Sequence, residues 1–488
     1  MRRLTISTTK VDVGDIAGVA DGTSIGIAPD VRERLIVARK IIDRAAAAGQ
    51  QIYGLNTGLG ANIGSSVSDD ASAFQRTLVE GRSAGVGDAL PDRDVRAVIA
   101  ARIVMLAQGG SGISPHVLDA LVALLNAGVT PIVPRFGSIG AGDLVMLAPI
   151  AEVLIGGGRA RFDGTVMDGA AALAAAGLEP VALAPKDGLS LINASSISVG
   201  LGALGVVEAS HLLARQTEAA ALTMAGIGAN RSILDARINQ ARPASGQINA
   251  ASRLRDLLGP SEQAAKLQDP LSIRCAPSIL GALDHAIASA RENIELELNS
   301  AGDNPLVLVD DGLVLSTGNF HTPAIAIAFE TLGLAIAQCA AASAARFVQL
   351  TGSGRGGLPK YLSPVGGASA GFVPLQKTVA ALMAAIRHKA NPVMLDFFAV
   401  SEGVEDHAPQ TALAVEKCRE MIALWRQIVA FELLAAAQAV DLQASCILLP
   451  ELRRVHDVVR SVSATLSQDR PLGRDVQALC DSLRRPRD

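Results

Sequence analysis

Four residue types in this chain could do chemistry together, and each sits in a distinctive local setting. Tyr53, one of only two tyrosines, opens the segment YGLNTGLG (53–60). Glycines at 54, 58 and 60 let that backbone turn tightly and approach a ligand closely. Taken alone, such a tyrosine is more often a surface feature. Arg274 lies in QDPLSIRC (268–275), an apolar neighbourhood where a guanidinium could clamp a carboxylate through two hydrogen bonds. A structural ion pair fits that setting as well. Lys377 ends GFVPLQK (371–377), a helical, apolar stretch from which most lysines reach solvent. EDH (405–407) gathers two carboxylates and an imidazole, either an acid/base cluster or a charged helix cap. The order and spacing of these segments carry more than any of them singly.

Other chemistries are excluded. GSGRGG (352–357) imitates a phosphate loop, but it follows a helical pattern and lacks the Lys-Ser/Thr that phosphate binding needs. The seven histidines have no metal-ligand spacing. The five cysteines are scattered without a CxxC pair, which fits a reduced interior better than a disulfide framework or a zinc site. A net charge of -4 and a pI near 6.0, with no basic stripe, argue against nucleic acid.

The elements that must hold these residues are mostly helices. Hydrophobic residues make up 49% of the 488, but aromatics only 3%. A core of Ala, Leu, Val and Ile favours close helix–helix packing over sheet layers. Weak alternation with Gly and Asp predicts short strands or turns over 1–27. Helical spacing begins at Asp30, with Val31, Leu35, Ile36, Ala38 and Ile42 on one face. It returns at 94–108 and 116–127, and then in long runs at 195–225, 276–300, 322–350, 372–390 and 409–446. Hairpins are expected at 159–167, around Asp163-Gly164, and at 306–315. Long helices that are apolar around much of their circumference pack inside a large bundle or an oligomer core. No signal peptide and no uninterrupted apolar run long enough to span a bilayer is read, so a soluble, cytoplasmic protein with no membrane partner is expected.

Taken together, the segments resemble the aromatic amino acid ammonia-lyases, and the histidine ammonia-lyases most. The resemblance runs over roughly residues 28–450. It is carried, in order, by YGLNTGLG (53–60), SAGVG (83–87), GSIGAGDL (137–144), LINASS (191–196) and QDPLSIRC (268–275). NSAGDNP (299–305), GNFH (318–321), GFVPLQK (371–377) and EDH (405–407) continue it. The resemblance implies a mainly α fold, a long-helix bundle of the histidine ammonia-lyase/fumarase-like type with small β-hairpins. Three regions are expected: an N-terminal domain with lid loop and GSIGAGDL segment (1–190), a central helical oligomer core (191–450) and a helical C-terminal segment (451–488). It also implies a homotetramer whose active sites draw on more than one chain. Tyr53 would be the base on a lid loop, with Lys377 and Glu405 as further catalytic residues. Asn56, Arg82, Asn193, Arg274, Asn319 and Phe320 would contact a small amino acid or betaine. Asn193 and Arg274 match the residues that hold its amino and carboxylate ends, and Glu405 its side-chain end.

Two departures belong to one mechanism. Typical members of the family carry Ala-Ser-Gly before the Asp-Leu pair. That triad cyclises and loses water to give methylidene-imidazolone, the electrophile that captures the substrate. Here the stretch reads Gly140-Ala141-Gly142-Asp143-Leu144, one residue short and without the serine. Ser138 is followed by β-branched Ile139, which obstructs the backbone turn that cyclisation needs. Leu271 stands where the family has a tyrosine, and Arg82 where a histidine or leucine is common. No cofactor and no metal is therefore expected.

A quaternary ammonium can still leave without the electrophile, because it departs as a neutral amine. A branch of the family similar at GSIG–DL, QDPLS and LQK has ergothionase activity, releasing trimethylamine from the betaine of thiolated histidine. The reading is thus a carbon–nitrogen lyase of imidazole-type substrates that works without the electrophile. A conventional aromatic amino acid ammonia-lyase and a non-catalytic binding paralogue are the alternatives.

Overall fold

Asp163 and Gly164 both take the left-handed backbone conformation, with φ of 46° and 76°. That conformation is what a two-residue hairpin turn demands. They join strands Arg159–Phe162 and Thr165–Asp168, which pair antiparallel. The other expected hairpin forms between Leu306–Leu308 and Leu313–Leu315. In this computed structural model the described residues are 3–65, 67, 70–260, 267–352, 354–395 and 397–484. Ser353, within GSGRGG, lies outside them.

Helices hold 60% of the described residues and strands 8%. The expected long helices are found at Ser196–Gly226, Ala276–Leu298, Pro323–Leu350, Val373–Lys389 and Thr411–Asp441. Near the N-terminus strands Arg3–Ile6 and Ser24–Ile27 pair in parallel. Between them lies a helix that alternation hid, Val13–Ala20. Gly14 and Gly18 dilute its periodicity. Its start is nonetheless encoded: Asp12 accepts from the Asp15 amide and Asp15 from the Asp12 amide, a capping box that satisfies two end donors.

Two compact units form, each discontinuous in sequence. The first comprises residues 1–207, 290–329 and 392–416; the second, 208–289, 330–391 and 417–488. The first is built around Asp92–Ala107, a helix buried along nearly its whole length. Gly200 lies against it so closely that a Cβ would fall 2.7 Å from the Val98 Cα. This is the small-residue packing that an Ala-rich, aromatic-poor composition permits.

The core of the second unit is partly ionic. Arg346 and Glu432 are both fully buried and paired. Ser343, Thr223 and Gln216 also donate to the Glu432 carboxylate, and the Trp425 indole donates to Gln216.

One expectation needs correction. Two stretches, Asp187–Gly226 and Pro323–Leu350, are long and apolar enough, by length and composition, to cross a membrane. Of their most apolar windows, 94% and 56% are buried inside the protein. Such burial is how the core helices of a bundle reach that hydropathy.

Candidate active site

Gly140, Ala141 and Gly142 lie at the meeting point of three chain segments of the first unit. Gly140 and Gly142 have φ of 82° and 72°. A Cβ on Gly140 would lie 2.6 Å from the Thr411 amide, and one on Gly142 2.7 Å from the Asn193 Oδ1. Only glycine fits either place. Ala141 bridges to His321. The Phe320 carbonyl accepts from the Gly142 amide at 3.3 Å and from the Ser195 hydroxyl at 2.9 Å. The Gln410 amide donates to the Ile139 carbonyl at 2.9 Å. Asn193 is buried, and its amide donates to the Asn304 carbonyl at 3.0 Å. The fold therefore brings Asn193, Phe320 and the 140–142 segment together.

Ser138 is committed to the turn: its hydroxyl donates to Asp143 at 2.5 Å and accepts from the Gly140 amide at 3.0 Å. The other Asp143 oxygen accepts from the Ile197 amide at 2.9 Å and the Ser198 amide at 3.3 Å. That carboxylate thus caps the start of the 196–226 helix, where backbone donors and the helix dipole favour an anion.

The segment 53–60 meets a second group. The Tyr53 phenol oxygen accepts from the Gly60 amide at 2.9 Å. Buried Gln75 donates to the Gly54 carbonyl at 2.9 Å, pinning the segment from behind. Asn56 is engaged within the same turn, accepting from the Ile52 amide at 2.7 Å and donating to the Gln50 carbonyl at 2.8 Å. Burial pulls the Arg82 guanidinium below its ordinary pKa, while nearby Tyr53 and Glu405 pull it back up. Arg82 thus lies within electrostatic reach of both, and its guanidinium donates to the Leu78 carbonyl at 3.4 Å. The turn at Gly60–Asn62 packs against the turn at Ser401–Gly403. There the Ser401 hydroxyl donates to the Glu405 carboxylate. Ser401 and Glu402 both have positive φ, 53° and 55°, a strained conformation for residues with side chains.

Behind the 140–142 segment sit two carboxyl groups that the sequence did not single out. Burial pushes Asp143 up to about 6 against the hydrogen bonds it accepts. Glu297 rises to about 7, first from burial and then from the Asp143 charge. A carboxyl whose folded pKa is raised stabilises the fold below its ordinary pKa, and that stabilisation is lost as pH rises through the folded value. Glu297→Gln should therefore be more stable than wild type at pH 8, by on the order of 2 kcal/mol. The gap should close by pH 4.5. Thermal unfolding across this range checks it; a gap independent of pH contradicts the assignment.

The remaining expected residues are scattered more widely. Asn319 is exposed, its amide bonded to the Thr317 hydroxyl. Arg274 and Lys377 belong to the second unit. Arg274 ends the short helix Leu271–Arg274 half-buried, with no carboxylate partner among the described residues. Leu271 beside it is 61% exposed. Lys377 is exposed in the first turns of Val373–Lys389. Among the described residues no group of three His, Cys, Asp or Glu is placed to hold a metal.

The whole chain matches known proteins in both sequence and fold. A family model for aromatic amino acid lyase matches residues 11–461. The chain belongs to the aromatic amino acid lyase family. Histidine ammonia-lyase of Paracidovorax citrulli is 37% identical, covering 98% of this chain and 95% of its own. Ergothionase of Treponema denticola, an ergothioneine-degrading enzyme solved with desmethyl-ergothioneine sulfonic acid, has a TM-score of 0.93 at 30% identity. That match covers 99% of this chain and 98% of the ergothionase chain. Histidine ammonia-lyase of Trypanosoma cruzi has a TM-score of 0.92 at 31% identity, covering 99% and 93%. The expected histidine ammonia-lyase-type helical fold is borne out, and this aromatic amino acid lyase is a carbon–nitrogen lyase.

Sequence reasoning missed one contact between its own motifs. His321 closes GNFH and His407 closes EDH, and their Nε2 and Nδ1 atoms lie 3.0 Å apart. Both were on view as motif ends; nothing local to either says that they meet.

Proposed function

We propose that this lyase eliminates an amine from the α-carbon of an imidazole-type amino acid betaine, giving an acrylate, without a methylidene-imidazolone. The observation that supports it most is the 140–142 segment. No serine stands between Ala141 and Gly142 to be dehydrated. The Gly142 amide, whose nitrogen would have to attack, is turned toward the Phe320 carbonyl. The Ser138 hydroxyl is held by Asp143 and Gly140. The residues present do not fit that group.

Without an electrophile the leaving group must be able to depart by itself. A primary ammonium loses a proton instead of its C–N bond. A trimethylammonium has no proton to lose and leaves as neutral trimethylamine, taking the C–N electron pair. The pair that remains after β-proton removal becomes the new carbon–carbon double bond. Tyr53 as phenolate takes that proton. The Gly60 amide donates to its oxygen, and Arg82 lies within electrostatic reach of the ring. Glu405, held by Ser401, orients the ring nitrogens. Arg274 receives the carboxylate, and Lys377 stabilises charge developing on the imidazole-thione. Asn193, Phe320, Asn319 and Asn56 line or shape the remainder. Ergothioneine, the betaine handled by the T. denticola ergothionase, has this chemistry.

The working form is a cytoplasmic homotetramer. Along Pro323–Leu350 the exposed positions are Ala324, Ile327, Thr331, Leu334, Gln338, Ala341, Ala345 and Val348. They alternate in spacings of three and four and carry no charge, the pattern of a helix that packs on another helix.

Relatives named histidine ammonia-lyase favour a second reading, deamination of free histidine with the electrophile present. Intact mass separates the two. The account expects the mass of the unmodified sequence; a mass lower by two waters would sustain the conventional ammonia-lyase and end this proposal.

A further inference from the structure

We propose that His321 and His407 act as one proton-sharing unit that positions Glu405 against the 140–142 segment. Their ring nitrogens are 3.0 Å apart and their ring centroids 5.0 Å apart, tilted by 33°. A hydrogen bond between two imidazoles needs one donor and one acceptor. The pair can hold it when both rings are neutral or when one is protonated. When both are protonated, two N–H groups face each other and the tie is lost.

The tie matters because of what it joins. His321 bridges to Ala141, and its neighbours are stitched to the site wall: the Phe320 carbonyl to Gly142 and Ser195, and Thr322 to Thr411 at 3.1 Å. His407 is two residues from Glu405, in a loop entered through strained Ser401 and Glu402. The titratable groups next to the pair in sequence are Glu405 and Asp406 on the His407 loop. Asp143 follows the 140–142 segment to which His321 bridges, and its charge acts on Glu297. Burial and then the partner ring lower the pKa of His321, against the hydrogen bond with His407, which raises it.

The inference rests on Glu405 orienting substrate, not on which amine leaves. In His407→Asn an amide oxygen can still accept from His321, but it cannot take a proton. The acid limb of kcat/KM, measured on any substrate turned over, should move to lower pH. His407→Leu removes the tie and should raise KM about tenfold, the equivalent of one hydrogen bond of roughly 1.4 kcal/mol. A readout without substrate keeps the test independent of the proposed reaction. Carbethoxylation of His321 by diethyl pyrocarbonate, mapped by mass spectrometry against pH, reports the neutral ring. Its midpoint should rise in His407→Asn, toward the ordinary value, once the partner ring is gone. Opposite movement of the two midpoints is the signature of the pair. A His321 midpoint identical in both proteins would overturn the inference, whichever substrate proves correct. So would an unmoved acid limb.

Discussion

Tyr53→Phe should lose about 10²- to 10⁴-fold in kcat while KM stays close to wild type, the size expected when a positioned general base is removed. Phenylalanine keeps the ring and its packing in the lid and removes only the oxygen. That oxygen accepts from the Gly60 amide, and Arg82 lies within its electrostatic reach. The fold should be little affected, because Gln75 holds the segment through the Gly54 carbonyl and not through the ring. Steady-state kinetics and thermal unfolding, run side by side, check this. Full turnover by Tyr53→Phe would refute the base assignment.

Glu432→Ala should cost about 3–5 kcal/mol of stability, the range for breaking a buried ion pair from one side. Its carboxylate accepts from Arg346 at 2.6 and 2.9 Å, from Ser343 at 2.5 Å, and from Thr223 and Gln216 at 2.9 Å each. Alanine leaves a fully buried guanidinium without its counter-charge and three further donors without an acceptor. The Arg346 contact to the Ser272 carbonyl, at 2.9 Å, cannot make this good. Removing both charges, as in Arg346→Met with Glu432→Leu, should recover much of the loss, since the desolvation of two ions disappears with them. Denaturant unfolding of the single and double variants measures it. A single variant within about 0.5 kcal/mol of wild type, the range of ordinary surface substitutions, would contradict the account.

What the sequence made legible is what local rules determine. Asp163-Gly164 specifies its hairpin because few other pairs accept two left-handed residues in succession. The long helices follow from apolar spacing sustained over many turns. The helix Val13–Ala20 was hidden because two glycines in eight residues mask its period, though its Asp12–Asp15 capping box was readable. The pairing of Val86–Ala89 with Pro134–Phe136 was not readable, since those strands are short and join distant parts of the chain.

The site divides along the same line. Tyr53, Asn193 and Glu405 stand in motifs whose wording survives in the sequence. The electrostatic reach of Arg82 to Tyr53 and Glu405, the Asp143–Glu297 pair and the His321–His407 contact depend on which loops meet. Nothing within a few residues of any of them determines that. Asn56 shows the converse. Its place in YGLNTGLG suggested substrate contact, yet both ends of its amide are engaged in closing the lid turn itself.

The most direct test of the central claim is turnover of ergothioneine, histidine betaine, free histidine, phenylalanine and tyrosine by the purified enzyme. Each elimination creates a conjugated acrylate whose ultraviolet absorbance rises as it forms. The account predicts turnover of a trimethylated substrate and none of the free amino acids. Turnover of free histidine or phenylalanine would contradict it, and would mean that the Gly140–Gly142 segment supports an electrophile after all.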